Sequence, residues 1–250
     1  MSTRSPSPPS LPQVPQNTPY SSRPTTSHAP KNPLDSLPSI VNALLPKGNL
    51  IYSQPSKSNP TVNAAISSLQ LHPTLEAALH ILNQDLPSAH FLVRKMEAPP
   101  AVEGMLLHSI LHRIEGDFPN SRAWMSDVGD ACEGWVPKRR GQETLSKGVK
   151  EGMMNKGVKE SLVLFVYTSE EEPLQLIDDV EKIRKGEGRE KVEEIEELAR
   201  TELERVINWC RNKFGEGSWV DATEAYTKGG EEVQQIHEEM ISGDKGWRKF

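Results

Sequence analysis

The sequence predicts an all-α protein, an irregular stack of αα-hairpins that follows a disordered Pro/Ser-rich N-terminal arm. Three observations support this fold class: prolines and serines concentrate in the first 60 residues, apolar residues recur at helical spacing in the rest, and one helix pair returns 32 residues later. A chain of 250 residues with 35% hydrophobic and 26% charged side chains has room for one large domain or two small ones.

The N-terminal arm has the composition of a segment that does not fold. Residues 1–60 contain 13 of the 20 prolines, together with 12 serines. Prolines remove backbone donors, and few apolar side chains are present to offset the entropy of ordering. We therefore predict a disordered arm and lead-in over residues 1–60, in which residues 39–45 form one short docking helix that stops at Pro46. Residues 61–250 are predicted to form a single helical domain.

Charge and cysteine content narrow the function classes. Residues 61–250 carry 24 basic and 34 acidic side chains, which argues against a nucleic-acid surface because such surfaces need clustered Lys and Arg. No apolar run approaches the roughly 20 residues that span a bilayer. Cys132 and Cys210 are the only cysteines, as suits a reducing compartment. We expect a cytoplasmic protein, with the nucleus as the alternative, that binds neither nucleic acid nor membrane.

A helix pair is repeated in the middle of the chain. Residues 74–84 place apolar side chains at helical spacing, and Asp85 is suited to cap the helix that follows. The same design returns at residues 100–115 and 119–128, where Asp117 takes the place of Asp85. Such a period resembles that of tetratricopeptide-type repeats. Because two αα-hairpins are too few to bury their apolar faces, we expect the C-terminal helices to complete the core.

The C-terminal half is less regular. Residues 129–160 are rich in Gly and Lys and are predicted to be a loop or insertion. Residues 161–167 fit either a strand or a buried helix, since no partner strand is evident. Pro173 marks the start of a helix, residues 189–213 form the most amphipathic helix of the chain, and residues 231–241 form the last one.

A polar stripe follows one side of the helix predicted over residues 100–115. Its two histidines are four residues apart and a glutamate follows three residues later, so the three share a face. Gly104, one turn earlier, is expected to leave space over the stripe, and His80 and His90 are candidates to approach from the preceding hairpin. The stripe and its flanks are the candidate catalytic residues: His108, His112, Arg113, Glu115 and Asp117.

The stripe has three chemical interpretations. His108 and His112 can bind one divalent metal ion, with Glu115 as third ligand or general base. Without a metal, the same groups form an acid/base site, since a carboxylate can orient a histidine that titrates near neutrality. Alternatively, the polar groups bond to one another and fix the helix packing. We favour this structural network, because such networks are common in helical stacks, and we expect Trp124 to pack beneath it.

A longer motif carries a family resemblance. His108 is followed after three residues by His112-Arg113-Ile114-Glu115-Gly116-Asp117, and then by Asn120. In this motif the chain resembles a family of uncharacterised helical proteins from fungi and bacteria. The resemblance covers about residues 70–130 and implies an all-helical fold, but it implies no activity. The family often has an aromatic-Trp pair followed by basic residues, whereas this chain has Ala123-Trp124 and then Ser126-Asp127.

Two functions follow from these patterns. The first is an interaction or scaffold module without enzymatic activity, which holds a protein or peptide partner in a groove of the helical stack. The alternative is a small-molecule enzyme, such as a metal-assisted hydrolase or lyase, that uses the His/His/Glu stripe. We expect no cofactor other than the divalent metal of this alternative. The first function predicts that the stripe is buried and internally bonded, and the second that His108, His112 and Glu115 converge on an accessible site.

Overall fold

The chain forms a stack of helices, as predicted. The computed structural model describes residues 34–98, 101–131 and 162–227, which all belong to a unit that begins at Pro33. These residues contain nine α-helices and no β-strand. The helices are α1 (Leu37–Leu44), α2 (Pro60–Ser68), α3 (Pro73–Leu82), α4 (Leu86–Val93), α5 (Val102–Glu115), α6 (Phe118–Ala131), α7 (Leu162–Val166), α8 (Glu172–Arg184) and α9 (Val192–Phe214). None of the described helices is long and apolar enough to cross a membrane.

The predicted lead-in contributes to the hydrophobic core. The hydroxyl of Ser36 accepts a hydrogen bond from the backbone N–H of Ser39 and caps α1, which buries Leu37 and Ile40. Leu50 and other residues after α1 are also buried in the main core. The ordered body therefore includes residues that we had assigned to the lead-in, and its boundary lies nearer residue 33 than residue 60. The arm predicted over the preceding residues lies outside the described ranges.

The two predicted helix pairs are present with their acidic caps. Oδ1 of Asp85 accepts a hydrogen bond from the backbone N–H of Ser88 at 3.4 Å, and Oδ1 of Asp117 accepts one from Asn120 at 3.3 Å. Helices α3 and α4 pack against each other, as do α5 and α6. Gly116 ends α5 with φ 93°, a left-handed conformation that favours glycine. The helix positions are confirmed, whereas the tetratricopeptide-type period stays a prediction.

Gly104 allows a close approach between chain segments and does not leave the space that we expected over the stripe. A Cβ atom at this position would lie 2.3 Å from Cβ and 2.9 Å from the carbonyl oxygen of Met96, which follows α4. Since Met96 is itself fully buried, neither segment has room to retreat. Glycine is therefore required here by packing, one turn before His108 on the side of α5 that faces the α4 segment.

The C-terminal half supplies the remaining core. Residues 162–166 form α7, so the helix alternative for this segment is correct. Helices α8 and α9 fall at the predicted positions, and α9 buries most of its apolar face. Leu198 is the exception at 39% exposure, because it lies at the edge of that face. Most of the predicted loop over residues 129–160 lies outside the described residues. The helix predicted over residues 231–241 lies wholly outside them.

A buried ion pair joins α5 to α9. The guanidinium of Arg113 donates from Nη1 to Oε1 of Glu202 at 2.9 Å and from Nη2 to Oε2, while the hydroxyl of Tyr167 donates to Oε1 at 2.5 Å. The side chains of Arg113 and Glu202 are each 2% exposed. Burial and the carboxylate raise the pKa of Tyr167, which therefore stays protonated and able to donate. The network fixes the rotation of α5 about its own axis.

We predict that Glu202→Gln lowers the free energy of unfolding by about 3 kcal/mol, because it leaves the Arg113 charge buried without its counter-ion. Urea denaturation followed by circular dichroism measures this loss. Glu197→Gln is the matched control, since Glu197 pairs with Arg200 at 2.9 Å but is 69% exposed. The control should change stability by less than about 1 kcal/mol. Equal effects of the two substitutions would contradict the structural role of the buried pair.

Candidate metal centre

Three histidines meet between α4 and α5. His90 lies in the last turn of α4, and His108 and His112 lie on consecutive turns of α5. The rings of His108 and His112 are stacked, with centroids 4.7 Å apart, and the ring of His90 stands edge-on at 5.3 Å and 5.2 Å from them. One ring nitrogen from each residue can be chosen so that all three lie within 4.8 Å of one another. No other group of His, Cys, Asp or Glu in the described ranges is arranged in this way.

Exposure increases from one side of the cluster to the other. The side chain of His108 is sealed beneath Trp124, whose ring stacks on it with centroids 4.4 Å apart. Those of His90 and His112 are 15% and 14% exposed, and that of Glu115 is 34% exposed. The cluster therefore has a dry inner edge under the indole and an outer edge that solvent reaches near Glu115. Trp124 packs against the stripe, as we expected, and its ring stacks on that of His108.

Each of the three rings has one buried nitrogen without a hydrogen-bond partner. Nδ1 of each of His90, His108 and His112 is buried and has no hydrogen-bond partner. Nε2 of His90 lies 2.9 Å from Oε2 of Glu115, and this contact places the His90 proton on Nε2 and its lone pair on Nδ1. Buried polar atoms are normally paired, so three orphaned nitrogens in one cluster need an explanation. A bound cation would provide one.

The histidines of α5 are held in their neutral form. Burial, reinforced by His112, His90 and Arg94, lowers the pKa of His108 to about 3. The pKa of His112 is also lowered, by burial and then by His90, although Glu115 and Asp117 oppose the shift. Neutral imidazole is the form that coordinates metal ions. The site therefore presents lone pairs at neutral pH without first releasing protons from these two rings.

Backbone contacts hold the end of α5 in position. Arg184 of α8 donates to the carbonyl oxygens of Ile114 at 2.8 Å and Glu115 at 3.3 Å. A Cβ atom at Gly116 would lie 2.6 Å from Nη2 of Arg184, so glycine also makes room for this guanidinium. The last turn of α5, which carries His112 and Glu115, is thus fixed from a neighbouring helix.

The predicted site residues separate into two groups. His108, His112 and Glu115 lie together, and Oδ2 of Asp117 is 3.8 Å from Nδ1 of His112. Asp117 also accepts from the side chain of Asn120 at 2.6 Å, which lowers the pKa of its carboxyl group. Arg113 points away from this group into its ion pair with Glu202, so it does not lie at the histidine cluster.

The third histidine was only weakly indicated by the sequence. Both His80 and His90 stood in the hairpin ahead of the stripe, and spacing alone does not choose between them. In the structure His90 joins the cluster, whereas His80 lies 3.4 Å from Asp85 and 3.7 Å from Glu76. The position of His90 in the last turn of α4 was the available signal, because short hairpins bring that turn close to the next helix.

The cluster needs a small contraction to bind a metal. Ligand nitrogens about 2.1 Å from a tetrahedral ion are about 3.4 Å apart, whereas the present limit is 4.8 Å. Metal binding therefore requires the rings to move closer together by rotation about their side-chain torsions. Glu115, which we had considered as the third ligand, instead contacts His90. A carboxylate on the far nitrogen of a ligating imidazole is a usual partner in metal sites.

Comparison with known proteins gives no further information about the histidine cluster. No protein-family model, curated protein or solved structure matches this chain. The resemblance to uncharacterised fungal and bacterial helical proteins therefore stays a prediction. The candidate site rests on its own geometry.

We predict that the chelator-treated protein loses stability on acidification partly through His108. Its pKa is about 3 when folded and near its ordinary value of 6.5 when unfolded, so the unfolded chain binds the extra proton first. The contribution of the neutral ring is complete above about pH 6.5 and is lost as the pH falls toward 3. In urea denaturation, His108→Phe should therefore lose less stability than wild type between about pH 7 and about pH 5.

His28→Ala, in a histidine outside the described ranges, serves as the control and should follow the wild-type pH dependence. If His108→Phe has the same pH dependence as the wild type, His108 titrates normally in the folded protein and its assigned neutrality is wrong.

Proposed function

We propose that this chain is a metalloprotein that binds one divalent ion, best matched by zinc, through His90, His108 and His112. The observation that supports this proposal is the meeting of three imidazoles whose Nδ1 atoms are buried and unpartnered. Three histidines with an open fourth position are the ligand set of several catalytic zinc sites. We further propose that the ion assists hydrolysis of a small molecule, a reaction of the class considered from the sequence.

The remaining polar groups have positions suited to this role. Glu115 orients His90 through its contact with Nε2, which makes the opposite nitrogen a better ligand. When bound, zinc supplies a Lewis acid and lowers the pKa of a water in its open position. The solvent-exposed edge beside Glu115 is the side from which water and substrate would approach, since Trp124 covers the opposite side.

The interaction module is the first function expected from the sequence, but the contacts of the stripe lead us to place it second. In a purely structural stripe the polar groups bond to one another, as Nη1 and Nη2 of Arg113 do to Glu202, although Nε of Arg113 also has no partner. The three histidines have no such bonds at Nδ1. They also approach one another across two helices, in a ligand set that has His90 where the enzyme alternative had Glu115. We therefore place the metal-dependent function first, and a protein partner remains the alternative if the site proves not to bind metal.

We predict that the full-length protein, purified without chelator, binds one zinc ion per chain. Equilibrium dialysis against zinc, with elemental analysis, measures stoichiometry and affinity. His90→Ala, His112→Ala and His108→Phe should each weaken binding at least about 100-fold, since each removes one ligand of three. Glu115→Gln should weaken it less, by about 10-fold, because Glu115 acts through His90.

His28→Ala is the control for nonspecific binding to histidine and should bind like the wild type. Activity is then tested separately by screening the zinc-loaded protein against chromogenic carboxylic and phosphoric esters. Zinc binding that survives His90→Ala and His112→Ala would overturn the assigned ligands. Zinc-loaded protein with no turnover on any ester would retain the metal site and remove the hydrolytic function.

A further inference from the structure

A polar cavity lies at the opposite end of α5 from His112. Its volume is about 190 Å³, which equals the liquid volume of roughly six water molecules. It is enclosed by the start of α3, the start of α5, the end of α9 and the segment that follows α9. The lining residues that matter chemically are His72, Glu103, Phe214, Trp219, Glu224 and Tyr226.

A buried carboxylate borders this cavity. Glu103 is 1% exposed, and its Oε1 accepts from Nε1 of Trp209 at 2.7 Å and from Nζ of Lys213 at 3.0 Å. Its Oε2 is buried and has no hydrogen-bond partner. Both donors thus converge on one oxygen, although a carboxylate has acceptor capacity on each. Lys213 is the counter-ion of Glu103 through Oε1, so the free acceptor at Oε2 favours a ligand that donates a hydrogen bond, such as a protonated amine.

The cavity wall is aromatic. The rings of His72 and Phe214 are stacked with centroids 3.6 Å apart, and Trp219 stands edge-on to His72 at 4.6 Å. Burial lowers the pKa of His72 to about 4, with Glu103 opposing the shift, so at neutral pH His72 adds no charge to the wall. Tyr226 completes the aromatic set. Such rings attract cations through their π faces.

The segment after α9 is fastened over the cavity by backbone bonds. The N–H of Trp219 donates to the carbonyl oxygen of Gln70 at 2.6 Å, and that of Thr227 donates to Lys95 at 2.9 Å. These bonds fix Trp219 and Tyr226 as walls. Glu224 lies on the same segment, is exposed, and places a second carboxylate at the rim.

We propose that this cavity binds a small organic ammonium ion, with Glu103 and Glu224 as its acidic groups and Trp219 and Tyr226 as aromatic walls. The charged side chains that line the cavity are both carboxylates. Lys213 contacts Oε1 of Glu103 from outside the lining set, and Nζ of Lys95 lies 5.1 Å from the centroid of the Tyr226 ring. A neutral apolar ligand would gain from the rings but would leave the buried oxygen unpaired. This proposal is independent of the metal centre.

Isothermal titration of the full-length protein tests the proposal with tetramethylammonium, choline and butylammonium as probes. At least one of them should bind in the millimolar range or tighter. The neutral carbon isostere of choline, in which carbon replaces the ammonium nitrogen, should bind at least about 10-fold more weakly, because it lacks the cation–π attraction. Trp219→Leu, which keeps apolar bulk but removes the π face, and Glu224→Gln should each weaken ammonium binding severalfold.

Tyr52→Leu is the matched control, since the ring of Tyr52 lies 5.7 Å from the Arg184 guanidinium and does not line the cavity. Its affinity should equal that of the wild type, and circular dichroism verifies that each variant is folded. Equal binding of choline and its isostere would overturn the ammonium assignment. Absence of binding by all three probes, or binding that Trp219→Leu and Glu224→Gln leave unchanged, would overturn the site.

Discussion

The ion pair between Arg113 and Glu202 is the constraint on which both candidate sites depend. Two charges removed from water are costly to bury, and they are tolerated only because two guanidinium nitrogens and the Tyr167 hydroxyl satisfy the carboxylate. A helix that carries such a charge has one acceptable rotation. With Arg113 directed at α9, the adjacent His112 is turned by about 100° and faces α4, where His90 meets it.

Helix α5 therefore carries different chemistry on each side and at each end. One side carries His108 and His112, and another carries Arg113 with its ion pair. Ser109 exchanges hydrogen bonds with Ser121 of α6 at 2.8 Å and 2.9 Å. Its first turn places Glu103 at the aromatic cavity, and its last turn places His112 and Glu115 at the histidine cluster. Twelve of its 14 residues are buried, so a shift of this helix would disturb both sites together.

Local sequence patterns were sufficient to predict the helices, whereas the partners of the site residues depend on contacts between distant parts of the chain. Proline and aspartate at helix starts, with apolar spacing, were sufficient to place α3 to α6 within a few residues. The histidine stripe was predictable for the same reason, since spacing in one helix fixes which residues share a face. The partners of Arg113 and Glu103 were not predictable, because Glu202 and Trp209 are 89 and 106 residues away in sequence. Segment 161–167 was ambiguous, because five apolar residues have no distinguishing period.

The coordination of zinc in the loaded protein tests the central claim most directly. X-ray absorption spectroscopy at the zinc edge reports the type, number and distance of ligand atoms. The structure predicts three imidazole nitrogens at about 2.0–2.1 Å together with one or two lighter oxygen ligands. A shell of oxygen ligands alone, or a single imidazole, would contradict the convergence of His90, His108 and His112 on one ion.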